Sequence, residues 1–311
     1  MHLKLKQIAF QIALLFISQV LNEVPKGPLI WAEEFNYNGP VNSSVWNVIV
    51  KGNNYNNQIQ YYTNSTSNVN VTNGYLIITT KNEKYGNRNY TSGRIESKLQ
   101  FTYGVFEMKA KLPFQGRGVW PAFWLFAYNL KWPTQYGEID IMENVGWRLG
   151  KITATTFCTL NGSYNQQTNS IDNMVQKSGT IQINDTDISF HIYTVDWNKD
   201  RLIFYADDIE YYRFYKKGYE NAWTFDKLFT LIVNNAVGGN WGGVKGIDNS
   251  IFPTYFIVDY IRQYQSLGDI TSSTNKITTT NKITYSSTTP NKITTTKITS
   301  PTTYSTSRKS F

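Results

Sequence analysis

The stretch Gly137-Glu138-Ile139-Asp140-Ile141-Met142-Glu143-Asn144 decides how this chain is read. As a strand it alternates its side chains between two faces. Glu138 and Asp140 then share one face, and Ile139 and Ile141 the other. Glu143 stands an odd number of positions from Glu138, so a regular strand would turn it into the apolar side. A one-residue bulge at Ile141-Met142 corrects this, because two residues there oppose one on the neighbouring strand. All three acids then line one face. The two glutamates lie four effective steps apart, about 13 Å at the backbone, and side chains reaching about 4 Å inward bring the carboxyls to about 5 Å. At that separation one carboxylate can attack a sugar carbon while the other protonates the leaving oxygen. A solvated acidic strand would carry the same three acids, so the flanks decide between the two.

The flanks are aromatic. In Gly118-Val119-Trp120-Pro121-Ala122-Phe123-Trp124-Leu125, Trp120 and Trp124 share a face, and Trp132-Pro133 precedes Glu138 by six residues. Flat C–H faces of sugar rings stack on such side chains. Upstream, the polar run from Asn53 to Thr63 leads into a strand, and its amides can read hydroxyls. Downstream, Gly238-Gly239-Asn240-Trp241-Gly242-Gly243 holds one large ring among glycines that permit turns and close approach. The 22 Tyr, 17 Phe and 9 Trp of the whole chain suit a sandwich with stacking platforms.

Between these landmarks the chain is a succession of short strands. Asn73-Gly74 signals a tight turn before Tyr75-Leu76-Ile77-Ile78-Thr79-Thr80. Residues 91–98, 104–111, 192–197, 202–205 and 256–264 alternate or carry strand composition, and no long stretch has a helical period. Strands so spaced imply two packed antiparallel sheets. A chain of 311 residues is long enough to bury a large core.

Charge and rare residues exclude several function classes. The formal charge is +8, but eight basic residues sit near the ends: Lys4, Lys6, Lys276, Lys282, Lys292, Lys297, Arg308 and Lys309. The body is left near +1, with no basic stripe to follow phosphates. Cys158 is the single cysteine, so there is no intrachain disulfide, and a buried apolar role suits it better than a nucleophile's. With only His2 and His191, a zinc site of Cys and His is excluded. His191 alternates as an ordinary strand position, which argues against a Ser-His-Asp triad.

Residues 1–22 read as a secretory signal, with Lys4 and Lys6 before an apolar run from Ile8 to Leu21. Six sequons, at Asn42, Asn64, Asn70, Asn89, Asn161 and Asn184, are acceptors for glycosylation on that route. The expected division is a signal over 1–22, a catalytic domain over 23–265, and a disordered tail over 266–311. In the tail Asn-Lys-Ile-Thr recurs at Asn275, Asn281 and Asn291 among Ser and Thr.

Several blocks in order resemble glycoside hydrolase family 16, and within it the laminarinase-like endo-β-1,3-glucanases. They are Trp31-Ala32-Glu33-Glu34-Phe35, the run ending at Thr63, Tyr90-Thr91-Ser92-Gly93-Arg94-Ile95 and Tyr103-Gly104-Val105-Phe106-Glu107. Further along come Trp120 to Leu125, the acidic strand, Ala236 to Trp241, and Val258-Asp259-Tyr260-Ile261-Arg262. The extra residue Met142 matches the bulged form associated with β-1,3-glucanases. The resemblance implies an all-β jelly-roll sandwich of two antiparallel sheets with a concave substrate cleft, and a retaining double displacement. It makes Glu138 the nucleophile and Glu143 the general acid/base, with Asp140 tuning the pair. It places Asn57, Arg94, Trp120, Trp124, Trp132, Phe157 and Trp241 along the cleft. Where many members have Thr-x-His, this chain has Thr155-Thr156-Phe157, and Gln58 stands where Glu is common. No cofactor is implied for catalysis. A structural calcium ion is implied at Gly74, Asp259 and Glu33 or Glu34, whose oxygens suit that cation. The protein expected is a secreted monomer that acts on a β-glucan polysaccharide, with no membrane span and no nucleic-acid partner. A β-glucan transglycosylase would use the same residues. A non-catalytic glucan-recognition protein would have lost the acids, all three of which are kept here.

Overall fold

A computed structural model describes residues 23–52, 54–168 and 170–268. The expected signal, Asn53, Asn169 and the tail from residue 269 onward lie outside the described residues.

The described residues form nineteen strands. In chain order they are β1 (Lys26–Glu33), β2 (Trp46–Val48), β3 (Gln60–Tyr62), β4 (Val69–Thr72), β5 (Tyr75–Tyr85), β6 (Arg88–Ser92) and β7 (Arg94–Phe101). Next come β8 (Gly104–Lys111), β9 (Val119–Phe126), β10 (Tyr136–Glu143), β11 (Lys151–Thr159), β12 (Ser163–Asn165) and β13 (Ser170–Asp172). The last are β14 (Val175–Gln182), β15 (His191–Trp197), β16 (Arg201–Ala206), β17 (Ile209–Tyr215), β18 (Phe229–Val237) and β19 (Thr254–Ser266). A seven-stranded antiparallel sheet has the order β14-β11-β10-β9-β18-β7-β2. A ten-stranded sheet is built on β17-β16-β15-β8-β19-β5-β6-β3, with β1 on β19 and β4 on β5. β12 and β13 make a separate hairpin. The expected jelly-roll sandwich is the architecture found. The acidic strand, β10, lies inside the seven-stranded sheet between β9 and β11.

The core lies between the two sheets. Phe123, Leu125, Ile139, Ile141 and Met142 from one meet Phe106, Met108, Val195, Phe204 and Phe256 from the other, all fully buried. Loss of such a side chain down to alanine costs about 2–5 kcal/mol. Cys158 belongs to this core. Because Ile139, Leu125 and Phe123 point inward, their strand neighbours Glu138, Asp140 and Trp124 face outward on the seven-stranded sheet.

Two local features differ from the sequence expectation. Residues 91–98 are not one strand: the chain breaks at Gly93, leaving β6 in the ten-stranded sheet and continuing as β7 in the seven-stranded one. A side chain there would meet Val69 Cγ2 at 2.4 Å, so the crossing between sheets requires glycine. The glycine-rich segment around Trp241 closes as a single helical turn, α1 (Gly239–Gly242). The Asn73-Gly74 turn joins β4 to β5 with φ of 53° and 79°, the left-handed pair such a hairpin needs.

Five of the six sequon asparagines are exposed and Asn70 is half-buried. Among the described residues no helix is long and apolar enough to cross a membrane.

Candidate active site

The site is built on the register of β10. Glu138 lies opposite Phe126 on β9 and Phe157 on β11. Asp140 lies opposite Trp124 and Thr155. The register then slips: Met142 pairs with Phe123, and Glu143 with Ala122 and Thr153. From Glu138 to Glu143 both neighbouring strands advance by four residues while β10 advances by five. That is a one-residue bulge between Asp140 and Met142. Ile141 and Met142 both enter the core, so the bulge absorbs two successive apolar residues and returns Glu143 to the face of Glu138. Four regular steps put the two backbones about 13 Å apart.

The acids have unlike surroundings. Glu138 Oε2 accepts a 2.5 Å hydrogen bond from the Tyr136 hydroxyl. Burial pushes the Glu138 carboxyl up, while the hydrogen bonds from Tyr136 and Asp140 and the positive charge of Arg94 pull it down. Glu143 Oε1 accepts from Trp120 Nε1 at 2.9 Å. Burial pushes Glu143 up to about 8; the Trp120 hydrogen bond lowers it and the charge of Glu138 raises it. Asp140 is buried between them and held well above the usual carboxylate range, first by burial and then by the charges of Glu143 and Glu138. The arrangement favours an anion at Glu138 and a proton at Glu143, because three groups stabilise charge on the first and one on the second.

Around the acids the structure gathers most of the residues expected along the cleft. Arg94 lies over the Trp124 ring, 4.9 Å from its centroid, and is fixed by Glu96 and Tyr128. Trp124 Nε1 donates to Asn234 Oδ1 at 2.8 Å. Trp120 meets Trp241 edge-to-face at 5.4 Å, and Trp147 Nε1 donates to the Trp241 carbonyl. Asn57 Nδ2 donates to Asn240 Oδ1 at 2.8 Å, tying the upstream polar loop to α1. Phe157 sits directly across from Glu138 and edge-on to Tyr136 at 6.5 Å. Trp132 stands apart: it is exposed and packs at 5.3 Å against Tyr164 of the β12–β13 hairpin.

Tyr136, Glu96, Tyr128, Asn234 and Trp147 were not singled out in the sequence. Period two could have found two of them, since Tyr136 is two residues before Glu138 and Glu96 two after Arg94. The others reach the site from separate strands and loops. His191 is on β15 in the other sheet, with Nδ1 2.5 Å from Asp207 Oδ2.

The Glu34 and Asp259 carboxylates implied for calcium are paired with basic side chains in the structure. Both Glu34 carboxylate oxygens accept from Arg262, at 2.7 and 2.9 Å. Asp259 is 3.0 Å from Lys109 Nζ, and Gly74 is the turn glycine between β4 and β5. Among the described residues no group of three His, Cys, Asp or Glu could hold a metal ion.

Comparison with known proteins gives the family and the fold of its relatives. Residues 56–251 match the model of the glycosyl hydrolases of family 16. The chain is 36% identical over 258 residues to a beta-glucanase of Rhodothermus marinus, covering 78% of this chain and 87% of the relative. It is 32% identical over 263 residues to a glucan endo-1,3-beta-glucosidase of Cryptopygus antarcticus, covering 76% and 91%. The solved laminarinase structure from Rhodothermus marinus superposes with a TM-score of 0.69 at 36% identity, over 78% of this chain and 99% of that one.

Proposed function

The chain belongs to the glycosyl hydrolases of family 16, and from that premise we propose that it is a retaining endo-hydrolase of β-1,3-glucan, with mixed β-1,3/1,4-glucan as the second substrate class. It is a glycoside hydrolase, and hydrolysis with retention is characteristic of the family. The observation that carries the reading is the bulge, which sets Glu138 and Glu143 on one face four strand steps apart.

In the first displacement a Glu138 oxygen attacks the anomeric carbon of the sugar. The bond from that carbon to the leaving oxygen breaks, and Glu143 gives that oxygen its proton. In the second, Glu143 takes a proton from water, the water oxygen attacks the same carbon, and the ester to Glu138 breaks. Two inversions leave the β configuration. The surroundings support these roles: Tyr136, Asp140 and Arg94 stabilise the Glu138 anion, and burial keeps Glu143 protonated near neutral pH. Arg94, Trp120, Trp124 and Trp241 supply stacking faces and polar edges along the cleft, with Asn57 at its rim and Phe157 beside the nucleophile. Trp132 extends it outward.

Catalysis in the family needs no cofactor. A structural calcium ion at Gly74, Asp259 and Glu34 would have to displace Lys109 and Arg262 from the two carboxylates, and the melting temperature with and without a chelator tests for it. The chain acts as a secreted monomer, cleaved near residue 22 and glycosylated on its exposed sequons. Mass spectrometry of the secreted protein and its sedimentation check those points.

Assay of Glu138→Gln and Glu143→Gln on laminarin tests the assignment. Each is expected to lose nearly all turnover, by about 10³-fold or more, while still binding laminarin, because each acid's contribution is chemical. Near-normal hydrolysis by either variant overturns it.

A further inference from the structure

We infer that the enzyme carries a second sugar-binding site on the outward face of its ten-stranded sheet, on the other side of the core from the acids, and that it holds a glucan chain without cleaving it. The inference rests on the reading of the cleft as a β-glucan site.

On β19 the core residues Phe256 and Val258 point inward, so Tyr255 and Ile257 point out. A cavity of about 430 Å³ opens there, between Lys111 and Phe114 on one side and the 3₁₀ turn Asn249–Ile251 on the other. A second, of about 270 Å³, lies against the first and shares Pro253 and Tyr255 with it; it is lined further by Lys81, Asn82 and Glu83 of β5. Tyr255 therefore stands between two adjoining cavities as a ring 45% exposed, and Phe114 overhangs the first, 61% exposed. The larger volume falls within the roughly 300–1,000 Å³ of small-ligand sites.

The charges select a neutral ligand. Asp187 Oδ2 accepts the Gln115 backbone N–H, and Asp248 Oδ1 accepts from the backbone and hydroxyl of Ser250. Glu83 accepts from Thr91 and lies 3.8 Å from Lys81 Nζ. Two lysines and three engaged carboxylates leave little field to attract an ion. What remains is two exposed rings bordered by hydroxyl, amide and carboxylate groups. Apolar faces with polar edges match a sugar ring, by the same chemistry as the cleft. A polysaccharide substrate is long enough to engage both faces of one molecule or to bridge neighbours, and a short oligosaccharide held in the cleft is not. The site would raise local polymer concentration by a second, tethered contact.

The test compares Tyr255→Ala, Phe114→Ala and the double variant with the wild type, all as the full chain. Both rings are exposed, so folding is expected to survive, and melting temperature checks it. Retention on an insoluble β-1,3-glucan and kcat/KM on a short laminari-oligosaccharide are measured for each. The double variant is expected to lose roughly tenfold in retention, and in kcat/KM on the insoluble glucan, with oligosaccharide kinetics unchanged. Unchanged retention in the double variant overturns the site. Equal loss on the oligosaccharide by a normally melting variant also overturns it, since the two faces would not then be separate. If the wild type cleaves no β-glucan at all, it is the reading of the cleft that fails, which is a different result from unchanged retention in an active enzyme.

Discussion

The hydroxyl of Tyr136 donates to Glu138 Oε2 at 2.5 Å, from a position two residues earlier on the same strand face. It is the largest of the influences that lower the Glu138 pKa against its burial. As the proposed nucleophile, Glu138 must be ionised to attack. Without the hydroxyl its pKa rises, so Tyr136→Phe is expected to move the acidic limb of the kcat/KM profile to higher pH. The alkaline limb, set by Glu143, stays in place. At the optimum kcat/KM falls roughly tenfold, the size of one lost hydrogen bond to a charged group. An unmoved acidic limb would remove Tyr136 from the site's electrostatics.

Glu143 gives a prediction about stability as well as rate. Its carboxyl is raised to about 8 by burial, well above the ordinary carboxylate value. Below the ordinary value both folded and unfolded chains hold the proton and nothing is lost. As pH rises from there to about 8 the unfolded chain releases it first, so the folded state loses stability across that window. Glu143→Gln has no proton to lose. Its melting temperature is expected to exceed the wild type's by a margin that grows from pH 5 to pH 8, at about 2–4 °C per kcal/mol. A margin constant with pH would mean that Glu143 ionises normally in the fold.

The stereochemical outcome follows from the bulge. Carboxyls about 5 Å apart leave no room for water beneath the sugar, whereas inverting enzymes need roughly 6.5–9.5 Å. Proton NMR of freshly cleaved laminarin, read before mutarotation, is expected to show the β-anomer first. Deletion of Met142 removes the extra residue that the register shows between Asp140 and Glu143. It is expected to turn Glu143 toward the core and abolish activity. A fully active deletion would show that the bulge does not set the spacing.

Truncation tests where the proposed catalytic domain ends. β19 runs to Ser266, which is fully buried and donates to Asp196 Oδ1 at 2.6 Å. A chain ending after Gly268 is expected to melt and cleave like the full one. A chain ending at Gln265 gives up the Ser266 bond, leaves Asp196 one partner short, and should lose about 1–3 kcal/mol. Thermal melting of the two truncations separates them, and equal melting would place the boundary at Gln265.

What the sequence determined by itself was whatever repeats along a strand. Alternation named the strands around Tyr75, Gly104, Ile192 and Phe256, and the odd spacing of Glu138 and Glu143 demanded a bulge, because a period of two admits no other way to share a face. Asn73-Gly74 named its turn, because only such residues take two positive φ angles cheaply. Alternation could not see that residues 91–98 change sheets at Gly93, since a strand looks the same locally whichever sheet it joins. The proposed division of labour between the two glutamates was likewise beyond the local pattern. It depends on Tyr136 from the same strand, but also on Trp120 from β9 and Arg94 from β7, which reach the acids only after β10, β9, β18 and β7 are laid side by side. The outward face at Tyr255 is of the same kind: it needs β19, β5 and the loops at residues 113–117 and 248–253 brought together, and no spacing along the chain encodes that meeting. Periodicity is a property of neighbours in sequence, whereas a carboxyl's pKa and a cavity's lining are set by neighbours in space.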